Sequence, residues 1–459
     1  MPASIIAPAV PVAAASISSE VRLAYVLQHF WQAYEPTSPV TIGVPGQQAQ
    51  VEVAVADAGF FDQRQPYPPA PIWHEWQGRE VPFFFGPAAG QPLLTLQSGR
   101  ALVHADLVSA AFYLLSGWQE YFSEERDQHG RFPYAASVQH QYGFVDVPVV
   151  NCYFEVLRTA VEHVTGEQLR PRRWLGGAKW AAFVTHDVDS LFGSWKAPAK
   201  AALQQGRLLE TFQIAMRSLA GVDAWNNLEA VQATARKHGA PSTFFMLGST
   251  QKAANGTPNA DYRVSAPGMQ RRLRNLQASG AELSVHGSIG TATDAAKLRR
   301  EKQLLPGTVS GNRFHYLSWE PRLTPGLVDA EGFGYDSTLG FPEHFGFRNS
   351  YCLPFQPFNF ATGRACSFLE IPLNVMDATL HHPSYLQLAP QEILPALEPM
   401  LQEIERFGGV CTLLWHNDHF DPANTVTGPR QFAALMEYLR SRNVAFMTGQ
   451  QIVNDQKPS

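Results

Sequence analysis

Residues 181–190 read Ala-Ala-Phe-Val-Thr-His-Asp-Val-Asp-Ser. The apolar run from Trp180 to Thr185 predicts a buried strand that ends in two carboxylates, Asp187 and Asp189. Side chains of a strand alternate faces, so residues two apart share one. Asp187 and Asp189 therefore leave the strand end together, and His186 points the other way. Neighbouring carboxylates repel unless a cation or an arginine lies between them, or one is protonated. The pair suits a metal ligand beside a general base. The plainer reading is a surface Asp-x-Asp in a loop, where Asp is common.

Beyond residue 176, short apolar runs alternate with amphipathic stretches. Strands are predicted over 180–185, 242–247, 281–286, 313–317, 368–373, 410–415 and 444–447. Helices are predicted over 223–237, 269–279, 294–305, 391–407 and 429–441. Such alternation implies an α/β fold with a parallel sheet, either a barrel or a large open sheet of about seven strands. In barrels the chemistry gathers where strands end. Those ends carry Leu283-Ser-Val-His286-Gly-Ser288, Arg313-Phe-His315-Tyr316 and Leu413-Leu-Trp-His416. Arg313 and His315 share a face. An inward arginine needs a carboxylate partner, and Asp187 is available. His286 alone reads as a satisfied core histidine. Asp, His, Arg and His recurring on one rim read as a site.

Before residue 170 the chain is rich in aromatics and proline. Residues 65–71 and 81–87 read as loop and short strand. Helices are predicted over 106–121, capped by Asp106, and over 156–164. Arg170 to Arg173 leads into a linker, Trp174-Leu-Gly-Gly, dividing the chain into domains 1–170 and 176–455.

Composition excludes several classes. The 459 residues suffice for two or three domains, and 45% hydrophobic content is ample for their cores. A net charge of -5 leaves no basic footprint for nucleic acid. The four cysteines include no Cys-x-x-Cys pair, against a structural zinc cluster and in keeping with a reducing compartment. Residues 3–17 are small and apolar, lack a basic start and are interrupted by Pro8 and Pro11. They read as a flexible tail rather than a secretory signal. No apolar run is long enough to span a membrane. A cytoplasmic protein is expected.

The region from about 178 to 450 resembles the polysaccharide deacetylase superfamily. Thr185-His-Asp187-Val-Asp189 is similar to its first motif, Ser242-Thr-Phe-Phe-Met to its second-strand signature, and Ser284-Val-His286-Gly-Ser288 to its metal-histidine motif. Arg313-Phe-His315-Tyr316 is similar to Arg-x-Pro-Tyr, and Leu413-Leu-Trp-His416 to Leu-x-x-His. The resemblance implies a divergent (β/α) barrel, here preceded by a smaller α+β domain. It implies a metal-dependent hydrolase that removes acetyl groups from an N- or O-acetylated glycan or sugar precursor. Asp187 would be the base, Arg313 its partner, the region of Tyr316 an aid to the oxyanion, and His416 the general acid. One divalent metal, zinc ahead of cobalt or manganese, would sit on Asp189 and His286. Residues 1–170, with Ala111 to Tyr121 and His129-Gly-Arg-Phe132, resemble an accessory domain found ahead of such barrels in uncharacterised bacterial proteins.

Two positions depart from the pattern. Val188 stands where a second carboxylate is usual, so the ligand role passes to Asp189. Gly290 stands where a second metal histidine is usual. His315, at the family's proline, is either the third ligand or a lining of the substrate groove. Trp415 and Asp377 are candidate substrate contacts, Asp377 alternatively capping a loop. His419 is a partner of His416 or a surface residue. Phe314, Tyr316, Trp319, Phe341, Phe345 and Phe347 suit sugar stacking or packing. Two other readings compete: a catalytically silent carbohydrate-binding or assembly protein, favoured by Gly290, and an amide hydrolase of a non-sugar substrate.

Overall fold

The computed structural model describes residues 17–209, 212, 216, 223–253 and 256–456. The tail expected over 3–17 therefore lies, Ile17 apart, outside the described residues.

The N-terminal region is α+β. Helix Ser19–Gln32 and helix Val149–Thr165 accompany a four-stranded sheet ordered Ile42–Gly43, Val51–Val53, Arg100–Val103, Leu94–Gln97. The helix expected over 106–121 is two helices, Leu107–Leu115 and Trp118–Phe122. Gly117, at φ +72°, breaks it by taking the left-handed conformation that costs glycine least. Asp106 does cap it, accepting from the Ser109 amide at 2.9 Å.

The second region is a parallel barrel. Its strands run in the order Leu369–Glu370, Tyr335–Asp336, Gly311–Phe314, Glu282–Gly287, Thr243–Leu247, Ala181–Val188, Val410–Leu414, Val375–Met376. Ala445–Phe446 pairs with Ala181 and Ala182 lower on the first strand. All seven predicted strands are present, and Tyr335–Asp336 and Val375–Met376 are additional. The two ends of the order, Leu369–Glu370 and Val375–Met376, belong to one stretch of chain. It pairs with Tyr335–Asp336 at one end and with Val410–Leu414 at the other, so the backbone itself closes the ring. Asn374 holds its bend, its side-chain oxygen accepting from the Thr412 amide at 3.0 Å.

Every residue of Ala181–Val188 is buried, which a strand between two parallel neighbours requires. Burying side chains such as Phe183 and Val184 contributes about 1.5–3 kcal/mol each. The strand predicted over 313–317 ends at Phe314, because Tyr316 and Leu317 turn into the left-handed region at φ +58° and +53°. The N-terminal region shares one apolar core with the barrel. Within the contact, Arg348 donates to both oxygens of Glu120 at 2.7 and 2.6 Å, a buried two-pronged ion pair.

Candidate active site

Parallel strands deliver their last residues to one rim. The first strand supplies Asp187 and the residue just beyond its end, Asp189. The pairing register sets Arg313 beside His286. His315 follows Arg313 on the turn, and His416 follows Val410–Leu414.

Asp189, His286 and His315 each offer one ligating atom, and these atoms lie within 4.8 Å of one another. Nε2 of His286 is 3.3 Å from Asp189 Oδ1, and Nε2 of His315 is 3.5 Å from Oδ2. The remaining ring nitrogens fix the tautomers. Nδ1 of His286 donates to the Arg313 carbonyl at 2.8 Å, leaving the Nε2 lone pair facing the carboxylates. Nδ1 of His315 lies 3.3 Å from Asn259 Oδ1, an oxygen that also accepts from the Ile289 amide. These are the outer partners a metal-binding histidine needs. Asp189 Oδ1 is buried and has no well-formed hydrogen bond, its nearest polar neighbour being His286 Nε2 at 3.3 Å. An oxygen in that state is costly unless a cation or a water meets it. Two imidazoles and a carboxylate suit a zinc-type ion with an open position.

Beside this group, Asp187 accepts from Arg313 Nη1 at 2.8 Å, and its other oxygen is 3.6 Å from His286 Nε2. Arg313 is fully buried and every arm is held: Nη1 also donates to Thr185 Oγ1, Nε to the Ser337 carbonyl and Nη2 to Ser337 Oγ. Phe245 stacks under its guanidinium at 4.3 Å. On the far side, His416 Nδ1 donates to Asp377 Oδ1 at 2.7 Å, and its Nε2 is 3.9 Å from Asp189 Oδ2.

The electrostatics follow from these contacts. Burial alone would lift the Asp189 carboxyl, but the imidazoles of His315 and His286 outweigh it and hold the group well below its usual range. Burial disfavours protonated His286, yet Asp187 and Asp189 raise it. His416 is likewise disfavoured by burial and lifted well above the usual value by Asp377. Asp377 is pulled well down by His416 and His419 against its own burial.

Two sequence expectations need correction. Asp377 is fully buried, with its oxygens engaged by the His416 side chain and amide and, at 3.2 Å, by His419. It cannot reach a substrate; it orients His416, and His419 is its partner. Trp415 is also fully buried and donates to the Thr427 carbonyl at 2.9 Å, so it packs and contacts no ligand. Phe314, Trp319, Phe341, Phe345 and Phe347 are buried too, which leaves Tyr316, 36% exposed, as the rim aromatic. His186 is buried away from the site between the Trp415 carbonyl and Ser242, and burial pushes it down to about 4. Gly290 sits in a left-handed turn at φ +91°. Sequence reasoning missed Asn259, Thr185 and Ser337. Thr185 opens the Thr185-to-Asp189 motif, but no spacing marks its bond to Arg313, and Asn259 and Ser337 stand in no motif because their partners lie far along the chain.

Residues 17–166 match a family of unknown function, DUF7033. No curated protein matches the chain. Among solved structures it is similar to a "putative polysaccharide deacetylase" from Mycobacterium smegmatis, at 18% identity, covering 62% of this chain and 92% of that one, with a TM-score of 0.41. It is also similar to Puue allantoinase, at 15% identity, 62% and 93% coverage and a TM-score of 0.40. A third is a "probable polysaccharide deacetylase" from Pseudomonas aeruginosa PAO1, at 15% identity, 62% and 94% coverage and a TM-score of 0.39. Among the described residues no helix is long and apolar enough to cross a membrane.

Proposed function

We propose that the protein is a metal-dependent deacetylase acting on an N- or O-acetylated glycan or sugar precursor, with residues 1–170 as an accessory domain. The observation that carries this reading is the meeting of Asp189, His286 and His315 within 4.8 Å, flanked by the Asp187–Arg313 and His416–Asp377 pairs. Asp189, His286 and His315 would hold one divalent cation, zinc ahead of cobalt or manganese. When bound, such a cation polarises a carbonyl and lowers the pKa of a water towards about 7.

This chain's residues supply the rest. Asp187 takes the proton as water attacks the acetyl carbonyl carbon. Arg313 keeps Asp187 aimed, since its guanidinium is fixed by Thr185, Ser337 and Phe245. The backbone N–H near Tyr316 donates to the oxyanion, commonly the largest single contribution in acyl transfer. His416, kept protonated by Asp377, gives its proton to the leaving nitrogen or oxygen. Acetate and the deacetylated sugar leave. Base and acid contribute about 10²–10⁴-fold each.

His315 takes the third donor place that Gly290 cannot fill, which weakens the silent-barrel reading. Acetate release from a panel of acetylated oligosaccharides and nucleotide sugars, with zinc, cobalt or manganese added, tests the proposal. Release should occur with at least one substrate and vanish in Asp187→Asn, which keeps fold and metal. Equal release from Asp187→Asn would remove the base assignment. Release from small non-sugar amides alone would transfer the site to another amidohydrolase class.

A further inference from the structure

The N-terminal region reaches the rim of the barrel at the loop 127–131, which touches the turn that follows Arg313. Arg131, 5% exposed, donates from Nη1 to the Tyr316 carbonyl at 2.8 Å. The His129 ring stacks on the Tyr316 ring at 4.7 Å and 25°. The loop is itself tightly built. Asp127 Oδ1 accepts from the His129 and Arg131 amides at 2.8 and 2.9 Å, and Asp127 Oδ2 accepts from Arg131 Nε at 2.7 Å. Further along the chain, Arg322 donates to the Tyr121 and Ser123 carbonyls at 3.0 and 3.2 Å. The turn is thus held from the N-terminal side at Tyr316, and the chain beyond it at Arg322.

The turn needs such a grip. Tyr316 and Leu317 are consecutive non-glycine residues in the left-handed region, at φ +58° and +53°. Side chains with a Cβ rarely adopt that conformation, and it persists only where surroundings impose it. The same turn carries His315, 3.5 Å from Asp189, and the amide assigned to the oxyanion. Strain held at a site by a neighbouring element is a means of pre-organising it.

We propose that Arg131 is a positioning residue of the active site: through the Tyr316 carbonyl it fixes the left-handed 316–317 turn, so the N-terminal region completes the catalytic geometry of the barrel. The proposal rests on the deacetylase reading for the amide's role, but the grip on the turn stands independently of it. Arg131 touches no reacting group. A misplacement of about 1 Å remote from the chemistry can lower a rate about 10²-fold.

The test uses the full chain and the variants Arg131→Met and Arg131→Lys, with bound metal measured in each. Backbone hydrogen exchange at residues 315–318 is the readout that needs no substrate. It should quicken in Arg131→Met and recover partly in Arg131→Lys, which retains a donor for the carbonyl. With an acetylated substrate in hand, Arg131→Met should lose about 10–100-fold in kcat, with KM little changed and metal retained. Unchanged exchange at the turn in Arg131→Met overturns the proposal, as does a kcat equal to wild type. If the wild-type protein releases no acetate from any substrate, the deacetylase reading fails, and exchange alone still decides the role of Arg131. Should Arg131→Met fail to fold, the same readouts on Arg131→Lys decide, with intermediate losses expected.

Discussion

At the end where the barrel strands begin, Glu282, Ser284 and Tyr335 form a polar cluster that is complete in itself. Tyr335 donates to Glu282 Oε1 at 2.7 Å, Ser284 lies 2.8 Å from the Tyr335 hydroxyl, and Glu282 Oε2 accepts from the Gln450 amide at 3.0 Å. At the end where the strands finish, Asp187, Asp189, His286 and His315 form a cluster that is incomplete. Its nitrogens and oxygens stand 3.3–3.6 Å apart, and one buried oxygen has no partner. Both clusters pay desolvation, but only the second leaves lone pairs converging on a common point. Burial raises Glu282, as it does a carboxyl partnered by neutral groups, whereas the histidines hold Asp189 well down. The first network has no buried group left to pair, whereas the second leaves a buried oxygen and converging lone pairs that an ion or a water could meet.

That contrast predicts the largest effects at the open end. Asp189→Ala should abolish both bound metal and acetate release, measured by elemental analysis and by acetate assay on the same samples. A variant that lost activity yet kept its metal would dissolve the contrast. Next in size is Asp377→Asn, which should lower release about 10²-fold while leaving metal in place. Its pH profile carries a sign. With His416 as the proposed acid, activity is expected below its pKa and lost as pH rises through it. Asp377 lifts that pKa, so its loss should move the alkaline limb of kcat to lower pH. An unmoved limb would detach His416 from the acid role.

At the closed end, Glu282→Gln should leave metal and kcat unchanged and cost about 1–3 kcal/mol in denaturant unfolding, through imperfectly replaced hydrogen bonds. The last effect touches neither metal nor turnover and comes from a satisfied group outside both clusters. His29 donates from Nδ1 to the Tyr25 carbonyl at 2.8 Å and accepts the Gln356 amide at Nε2 at 3.1 Å. Burial pushes its pKa down to about 4 from 6.5. The unfolded chain therefore binds a proton between about pH 6.5 and 4 that the folded chain does not, so the stability from this group is present above 6.5 and lost as pH falls. His29→Gln should remove that dependence. The stability difference between wild type and variant should shrink across this window, and a constant difference would place the histidine's pKa elsewhere.

Much of this was legible in the sequence, for physical reasons. Long apolar runs with polar ends announced the strands and put Asp187, His286, Arg313 and His416 on one rim. Tyr335–Asp336 and Val375–Met376 escaped because two residues carry no alternation to detect. The strand holding Arg313 stops short of 317 because its end is set by two left-handed residues, neither of them glycine, which no sequence pattern signals. The role of Asp377 is hidden in the sequence because its link to His416 exists only after the ring closes between them. Trp415 shares its short segment with His416, but the two side chains go to opposite destinations, one to the core and one to the site. Arg131 was invisible as a site residue because its target, the Tyr316 carbonyl, is backbone and belongs to another region of the fold.

Zinc titrated calorimetrically into chelator-stripped protein tests the shared ion most directly, with His286→Ala and His315→Ala beside the wild type. One equivalent should bind per chain, and each substitution should weaken or remove that binding. Wild-type protein that takes up no ion, or His315→Ala protein that binds as tightly as wild type, would contradict the three-residue centre.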